Sequence, residues 1–286
     1  MKNTRQLPYP DINEALIKGQ NRIDICNLYS SALRSTNDFY HNQYAYKLDE
    51  YVDAENNKPL LQMEYDSLVS FIDEWSAKHN VQVDIIVRLK DWLGYNAKIR
   101  LFLSKGRCVD SIKDLLGFKL VLKTQYPDTV ESHKLCYKLT NDVLNFLVLQ
   151  RHCLLLQAEA KSGSPLSPLS SIAKKLFIYD KNEIEPKFVP FVKNYLAIPK
   201  NDGYQGLHCY VKTPSKLVFE IQVHTTATNM HAEELHETYK DVRYENIDFD
   251  IDFDKIHIPG LVFDECGKIR YDSTGLFKPD FKFLCR

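Results

Sequence analysis

Apolar residues recur at helical spacing in the first third of the chain, and beyond it strand patterns alternate with helical ones. Asp11 is placed to cap a helix running to about Ser35, with Ile12, Leu16, Ile23 and Leu28 on one side. A polar, tyrosine-rich segment follows from Asn37 to Pro59. Helical periodicity returns over Leu60–Lys78, where Leu61, Tyr65, Leu68, Phe71, Ile72 and Trp75 form one face. Strand patterns occupy Val81–Val87, Gly117–Leu122, Gly206–Val211 and Leu217–Val223. Glu131–Lys161 reads as one long helix or a hairpin of two, and SGSPLSPLSS at 162–171 reads as a surface loop. Asp241–Asp254, where Asp alternates with Ile and Phe, reads as an edge strand or a docked extended segment. Strands with interspersed helices around one sheet predict an α+β or α/β fold.

Composition narrows the classes of function. The chain has 286 residues, enough for a sizeable core, with 37 basic against 38 acidic residues. That balance argues against bulk attraction to nucleic acid or to a membrane surface. The seven cysteines are an odd number without a C-x-x-C pair, which fits neither a disulfide framework nor a zinc site and points to a reducing compartment. The N-terminus has no apolar signal core, and the most apolar run, Val143–Leu156, is interrupted by Gln150, Arg151 and His152 and is too short to span a bilayer. The expected location is the cytoplasm, with no membrane partner; the sequence is compatible with a homo-oligomer.

Candidate chemistry concentrates between Asn194 and Lys240. The segment NYLAIPKNDGYQGLH gathers Lys200, Tyr204, Gln205 and His208 around an N-D-G turn signal, and Tyr204 falls at a loop tip where its ring can stack on a base. In LVFEIQV a single carboxylate, Glu220, interrupts an apolar strand and shares its face with Gln222. Taken alone, that pattern also fits the solvent face of a half-exposed strand. Asp114, just before Gly117, is a second acid at a strand end; its bland role is a cap or turn residue. Two such carboxylates that meet suit Mg²⁺, which takes few protein oxygens and completes its shell with water and substrate phosphates. Arg88, Lys90 and Lys98 in VRLKDWLGYNAK can form a cationic cradle or a solvated face. No Walker loop, dinucleotide-binding glycine fingerprint, H-E-x-x-H or nucleophile elbow is present.

These residues together resemble the synthetase domain of the RelA/SpoT family, the (p)ppGpp or alarmone synthetases. The family pattern D-Y-I-x-x-P-K-x-N-G-Y-Q-S-L-H resembles Asn194–His208. E-I-Q-I-R-T and the helix behind it resemble Glu220–Lys240. R-x-K-x-x-x-S-x-x-x-K resembles Arg88, Lys90, Gly94 and Lys98, and D-x-x-G-x-R resembles Asp114, Gly117 and Lys119. The four motifs stand in the family's order between about 85 and 240. The resemblance implies an α+β, nucleotidyltransferase-like mixed sheet flanked by helices over 81–240, with a helical insertion near 131–161 and a loop at 162–171. An N-terminal helical region (1–80) packed on that core and a C-terminal extension (241–286) complete the expected organisation.

The same resemblance implies transfer of the β,γ-pyrophosphate of ATP to the 3′-hydroxyl of GDP or GTP, with Mg²⁺. Asp114 and Glu220 would hold the metal, and Glu220 could also act as base. Arg88, Lys90, Lys98 and Lys119 would bind ATP. Lys200, Tyr204, Gln205, His208, Gln222 and Asn229 would bind the acceptor. Departures are also visible: Lys119 and His224 stand where the family has arginines, Gly94 and Gly206 where it has serines, and Asn194 where it has an aspartate. A lysine cannot stack as a guanidinium plane does, and a histidine titrates near neutrality. Two further readings follow. One moves the same group to the 3′-CCA end of tRNA or to an adenosine nucleotide; the other is a nucleotide-binding regulator without catalysis, against which the retention of Asp114 and Glu220 argues.

Overall fold

The strand patterns of the sequence meet in one mixed sheet. The computed structural model describes residues 22–90, 92–157, 181–200, 202–244, 261–263 and 269–271. Its elements are helices α1 (Arg22–Ser35), α2 (Phe39–Asn56) and α3 (Lys58–His79), strand β1 (Val83–Leu89), helix α4 (Trp92–Ser104), strand β2 (Leu116–Leu122), helix α5 (Val130–Leu149) and strand β3 (Leu154–Leu156). Then come β4 (Val192–Asn194), β5 (Leu207–Lys212), β6 (Val218–Thr225), helix α6 (Thr226–Tyr244) and the short antiparallel pair β7 (Leu261–Phe263) and β8 (Ile269–Tyr271). The fold is α+β.

The chain divides into two compact units, one of Met1–Asn56, Asp91–Asp110 and Ile247–Arg286, the other of Asn57–Lys90 and Ser111–Asn246. The second contains the six-stranded sheet, ordered β1-β2-β6-β5-β3, with β4 also on β5. Only β2 and β6 run parallel; the other pairings are antiparallel.

Strand alternation gives the sheet two unlike faces. One carries Phe118, Leu120, Phe219, Ile221, Val223, Cys209 and Val211, all buried. Phe118 meets Phe219 edge-on at 5.0 Å and stacks at 6.4 Å on Tyr65 of α3, while Phe71 of α3 stacks at 4.5 Å on Phe146 of α5. Trp75 of α3 donates its indole N–H to Asp142 of α5 at 2.8 Å, so the buried tryptophan also satisfies its polar atom. The other face carries Arg88, Gly117, Lys119, Glu220, Gln222, His224, Tyr210 and His208, and it forms the candidate site.

Local chemistry explains the helix ends of this unit. Asn80 ends α3 in the left-handed conformation at φ 52° and donates its N–H to the Ser76 carbonyl. Thr129 starts α5 through a reciprocal cap in which Thr129 Oγ1 accepts from the Ser132 N–H at 3.2 Å and Ser132 Oγ from the Thr129 N–H at 3.4 Å.

In the first unit, α2 buries Tyr44, Leu48, Tyr51 and Val52. Trp92 of α4 lies edge-on to Tyr51 at 5.1 Å, and the Tyr95 hydroxyl donates to Glu50 at 2.7 Å. Glu50 also accepts from the buried Lys47 ammonium at 2.5 Å.

Three expectations change. The polar segment 37–59 contains α2, because its tyrosines and leucine recur at helical spacing and serve as the apolar stripe. The described part of the span 131–161, to residue 157, is neither one helix nor a helical hairpin. After α5 the chain reverses through His152, at φ 53°, and returns as β3 alongside Tyr210–Lys212. Residues 241–244 continue α6 rather than starting a strand. The helix residues expected before Arg22, the loop at 162–171 and the rest of the acidic segment lie outside the described residues.

Candidate active site

Two rows of paired residues cross the polar face of the sheet. Arg88 stands opposite Gly117, Gly117 opposite Glu220, and Glu220 opposite Tyr210. One step along, Ile86, Lys119, Gln222 and His208 form the second row. Gly117 matters by what it lacks: a Cβ there would meet the Glu220 backbone oxygen at 3.3 Å, and without a side chain the face stays open between Arg88 and Glu220.

Glu220 is 7% exposed, so its charge requires partners. Its Oε1 pairs with His208 Nδ1 at 2.9 Å and its Oε2 accepts from Gln222 Nε2 at 2.7 Å. Burial pushes the carboxyl up, but the charge and hydrogen bond of His208, with the bond from Gln222, outweigh it and hold the group below its ordinary value. Asp114 pushes in the opposite direction by charge repulsion, so the two acids that the sequence singles out sense each other across the site. Asp114 itself takes a 2.9 Å ion pair from Lys90, whose side chain is 8% exposed.

The acceptor-side candidates cluster next to this pair. The turn at 200–204 closes with the Gly203 N–H on the Lys200 carbonyl at 2.9 Å and the Lys200 N–H on the Tyr204 carbonyl at 3.0 Å. Tyr204 does not stand at an open tip. Its ring is part-buried, and its hydroxyl turns inward to His208 Nε2 at 2.6 Å and His224 Nε2 at 3.3 Å. The Lys200 ammonium sits 3.9 Å from the Tyr204 ring centre and 4.6 Å from that of Tyr195. Gln205 Nε2 and Asn229 Oδ1 are buried without a hydrogen-bond partner. Buried amide atoms of this kind are uncommon in a finished interior and suit a site that a polar ligand completes.

The ATP-side candidates are distributed. Arg88 is exposed on the polar face, and Lys90 is joined to Asp114. Lys119 is ion-paired with Glu233 of α6. Lys98 lies on α4 in the other unit, its ammonium 6.0 Å from the Phe102 ring centre.

Four contributors were not singled out as site residues from sequence. Tyr210 faces Glu220 directly, and burial followed by the charges of Glu220 and Asp114 pushes its phenol far up. Tyr195 touches both Tyr204 and His208 through its ring, at 6.0 and 5.5 Å. His224 is fully buried and held well below the usual histidine range by burial, then by His208, Lys119 and Lys200, which keeps it neutral. Glu233 engages Lys119. Period-2 alternation from Glu220 and His208 reaches His224 and Tyr210, and Glu233 stands out as an acid on the helix behind Glu220; no local signal marks Tyr195.

The donor set suits a hard divalent cation. Asp114 and Glu220 supply carboxylate oxygens whose mutual repulsion such an ion would relieve, and each Glu220 oxygen keeps a second lone pair beside its present partner. Among the described residues no cluster of three or more His, Cys, Asp or Glu side chains is arranged to hold a metal. The buried thiol of Cys209, on the apolar face of β5, is pushed up by burial and by the Glu220 charge.

Residues 173–244 match the family model described as "Region found in RelA / SpoT proteins". This stretch is similar to that region. It includes Lys200, Tyr204, Gln205, His208, Glu220, Gln222 and Asn229; Arg88, Lys90, Lys98, Asp114 and Lys119 lie before it. None of the curated proteins compared matches the chain. Among solved structures, the chain is similar to small alarmone synthetase 2 from Bacillus subtilis, at 18% identity and a TM-score of 0.40 over 68% of this chain and 84% of that one. It is also similar to small alarmone synthetase 1 from Bacillus subtilis, at 16% identity and a TM-score of 0.42 over 68% and 80%. A GTP pyrophosphokinase family protein from Streptococcus pneumoniae aligns at 16% identity and a TM-score of 0.40, over 75% of this chain and 83% of that one. No helix among the described residues is long and apolar enough to cross a membrane.

Proposed function

We propose that the protein is a pyrophosphokinase that moves the β,γ-pyrophosphate of ATP to the 3′-hydroxyl of GDP or GTP. The observation that carries this reading is a buried, ionised Glu220, bonded to His208, near enough to feel the charge of the Lys90-paired Asp114 and next to the Lys200–His208 turn, in and beside a stretch that matches the RelA/SpoT region. In this reading the acceptor's 3′-oxygen attacks the β-phosphorus of ATP. The bond from that phosphorus to the oxygen bridging it to the α-phosphate breaks, and AMP leaves. Glu220, kept ionised by His208 and Gln222, takes the hydroxyl proton. Asp114 and Glu220 would hold Mg²⁺, which when bound offsets charge on the transferred phosphates.

The chain's own contribution is mostly placement. Arg88 and Lys90 offer cations to the donor phosphates, with Lys119 the further donor-side candidate of the same unit. The Tyr204 ring, with Lys200 over it, offers a face to the acceptor base, while Gln205 and Asn229 offer the buried amide atoms that a ribose or phosphate oxygen would satisfy.

The test is a transfer assay with ATP labelled in its γ-phosphate and Mg²⁺, run in parallel on GDP, GTP, ATP and bulk tRNA. Label on the guanosine nucleotides, with matching AMP release, is the expected result. Label confined to tRNA or to ATP changes the acceptor but keeps the reaction. No transfer and no AMP release on any acceptor overturns the reading in favour of a binding protein without catalysis.

A further inference from the structure

Glu220 is the first member of a buried chain of polar side chains that ends at an unexpected residue. From Glu220 Oε1 it runs to His208 Nδ1 at 2.9 Å, from His208 Nε2 to the Tyr204 hydroxyl at 2.6 Å, and from that hydroxyl to His224 Nε2 at 3.3 Å. His224 Nδ1 then faces Thr228 Oγ1 at 3.4 Å, and Thr228 Oγ1 accepts from the Thr225 N–H at 2.9 Å, which anchors the far end to the start of α6.

The hydrogens along this chain can be assigned from its carboxylate end. An ionised carboxylate only accepts, so His208 Nδ1 carries a hydrogen. When the ring carries this hydrogen alone, Nε2 is an acceptor and takes the single hydrogen of the Tyr204 hydroxyl. The Tyr204 oxygen accepts in turn from His224 Nε2–H, and His224 Nδ1 accepts from the Thr228 hydroxyl. In this arrangement each ring nitrogen has a partner and the tautomers of both imidazoles follow from the direction of the chain, while Thr228 Oγ1 also lies 3.4 Å from the Thr225 carbonyl oxygen and 3.2 Å from Thr225 Oγ1.

The place His224 occupies depends on residue 206. Leu207 pairs with Val223, so residue 206 lies across from His224. A Cβ on residue 206 would stand 2.6 Å from His224 Cε1 and 3.1 Å from each ring nitrogen. Only glycine leaves room for the imidazole, and Gly206 also adopts φ 155°, at the edge of the region that side chains avoid. Gly206 and His224, which look like two separate departures in the sequence, are one structural unit.

We propose that His224, seated in the notch left by Gly206, is a positioning residue for Glu220, acting through Tyr204 and His208. The proposal rests on the pyrophosphokinase reading for its catalytic consequence, whereas the hydrogen-bonded chain itself stands without it. With both nitrogens engaged, the His208 ring is held in one orientation and one tautomer, and the carboxylate it contacts is held with it. Removing the His224 end leaves the Tyr204 hydroxyl with one partner instead of two.

The test uses His224→Phe, which keeps a ring in the notch and removes both nitrogens, and Gly206→Ala, which keeps both histidines and pushes the ring out. Two readouts are taken on the full chain: ¹⁵N NMR of the imidazoles, which reports the His208 tautomer, and steady-state kinetics with ATP and the accepted nucleotide. In wild type His208 is expected to show one tautomer with hydrogen on Nδ1, and in both variants a tautomer mixture, with kcat reduced about tenfold to a hundredfold and the acceptor KM little changed. On a His224→Ala background, Gly206→Ala should alter both readouts less than it does in wild type, because the ring it displaces is gone and only the backbone strain of a side chain at φ 155° is left. An unchanged His208 signal in His224→Phe overturns the positioning. A raised acceptor KM at unchanged kcat overturns the catalytic link by assigning the chain to acceptor binding. A wild type inactive on every acceptor removes the catalytic role along with the proposed reaction, while the NMR result still decides the chain.

Discussion

The two faces of the central sheet are built from the same strands and stabilised in opposite ways. On one face Phe118, Leu120, Phe219, Ile221 and Val223 remove apolar area from water, an effect without direction that depends on shape and volume. On the other, Glu220, His208 and His224 are equally withdrawn from water yet carry polar atoms that only a particular partner satisfies. A residue on the first face answers for stability. A residue on the second answers for geometry, and much of its cost to the fold is offset by neighbours two or three positions away along the row. Substitutions on the two faces should therefore separate stability from activity.

The largest separation is expected at Glu220. Glu220→Gln keeps the shape and lets His208 still donate to the amide oxygen, but removes the charge that would hold the metal and the base that would take the proton. Transfer should fall by about 10² to 10⁴-fold, the usual range for a general base. Urea unfolding should move by no more than about 2 kcal/mol. Retained transfer would assign this face a role other than chemistry. Phe219→Ala is the mirror experiment on the face behind it. Phe219 is 1% exposed and lies edge-on to Phe118, and losing it should cost about 3–5 kcal/mol in denaturant unfolding. The rate per folded molecule should persist. A rate that collapsed with the core would mean that the faces are not independent.

A smaller effect separates the faces by pH. His224 is buried and neutral, with its folded pKa well below the unfolded value near 6.5. Below about pH 6.5 the unfolded chain therefore binds a proton that the folded chain refuses. The stability associated with this group is complete above that pH and declines as pH falls, by about 1.4 kcal/mol per unit. Glu220, whose folded pKa is lowered, acts in the same direction only below its ordinary value of 4.5. Between pH 6.5 and 5, His224→Phe should remove one proton's worth of slope from unfolding free energies measured against pH, whereas Phe219→Ala should shift the curve without changing its slope. An unaltered slope in His224→Phe would show that the ring is hydrated or charged in the folded state.

What could be read in the sequence follows the same division. The apolar face was legible because alternation is local: LVFEIQV and GFKLVL place their strands to within one or two residues, and Glu220 stands out as the acid in an apolar run. Candidate residues on the polar face were also legible one by one, because each is an unusual residue type for its place. Their partners were not. That the Tyr204 hydroxyl turns inward depends on His224, twenty residues away, and on the missing side chain of Gly206, a relation that only the β5–β6 register creates. The α2 helix was missed for a different reason: its buried stripe is made of tyrosines, which count as polar in a pattern of apolar residues although their rings pack as apolar surface.

The smallest effect tests the rim of the polar face, where burial no longer enforces pairing. Lys119 lies in the row of Gln222 and His208 and is 17% exposed, and its partner Glu233 on α6 is 57% exposed. An ion pair this open contributes about 0.2–1 kcal/mol, so Glu233→Gln should move urea unfolding by no more than that. Its consequence for binding should be larger than its consequence for folding. If Lys119 serves the donor nucleotide, Glu233 competes with the phosphates for the same ammonium, and removing the carboxylate should lower the KM for ATP while leaving kcat in place. Lys119→Gln should raise that KM, and raise it less once Glu233 is already glutamine. The effect should shrink as salt is added, because screening acts on exposed pairs first. If ATP binds equally well in all three variants, Lys119 belongs with the solvated rim of the face, and donor recognition falls to Arg88 and Lys90 on the strand beside it.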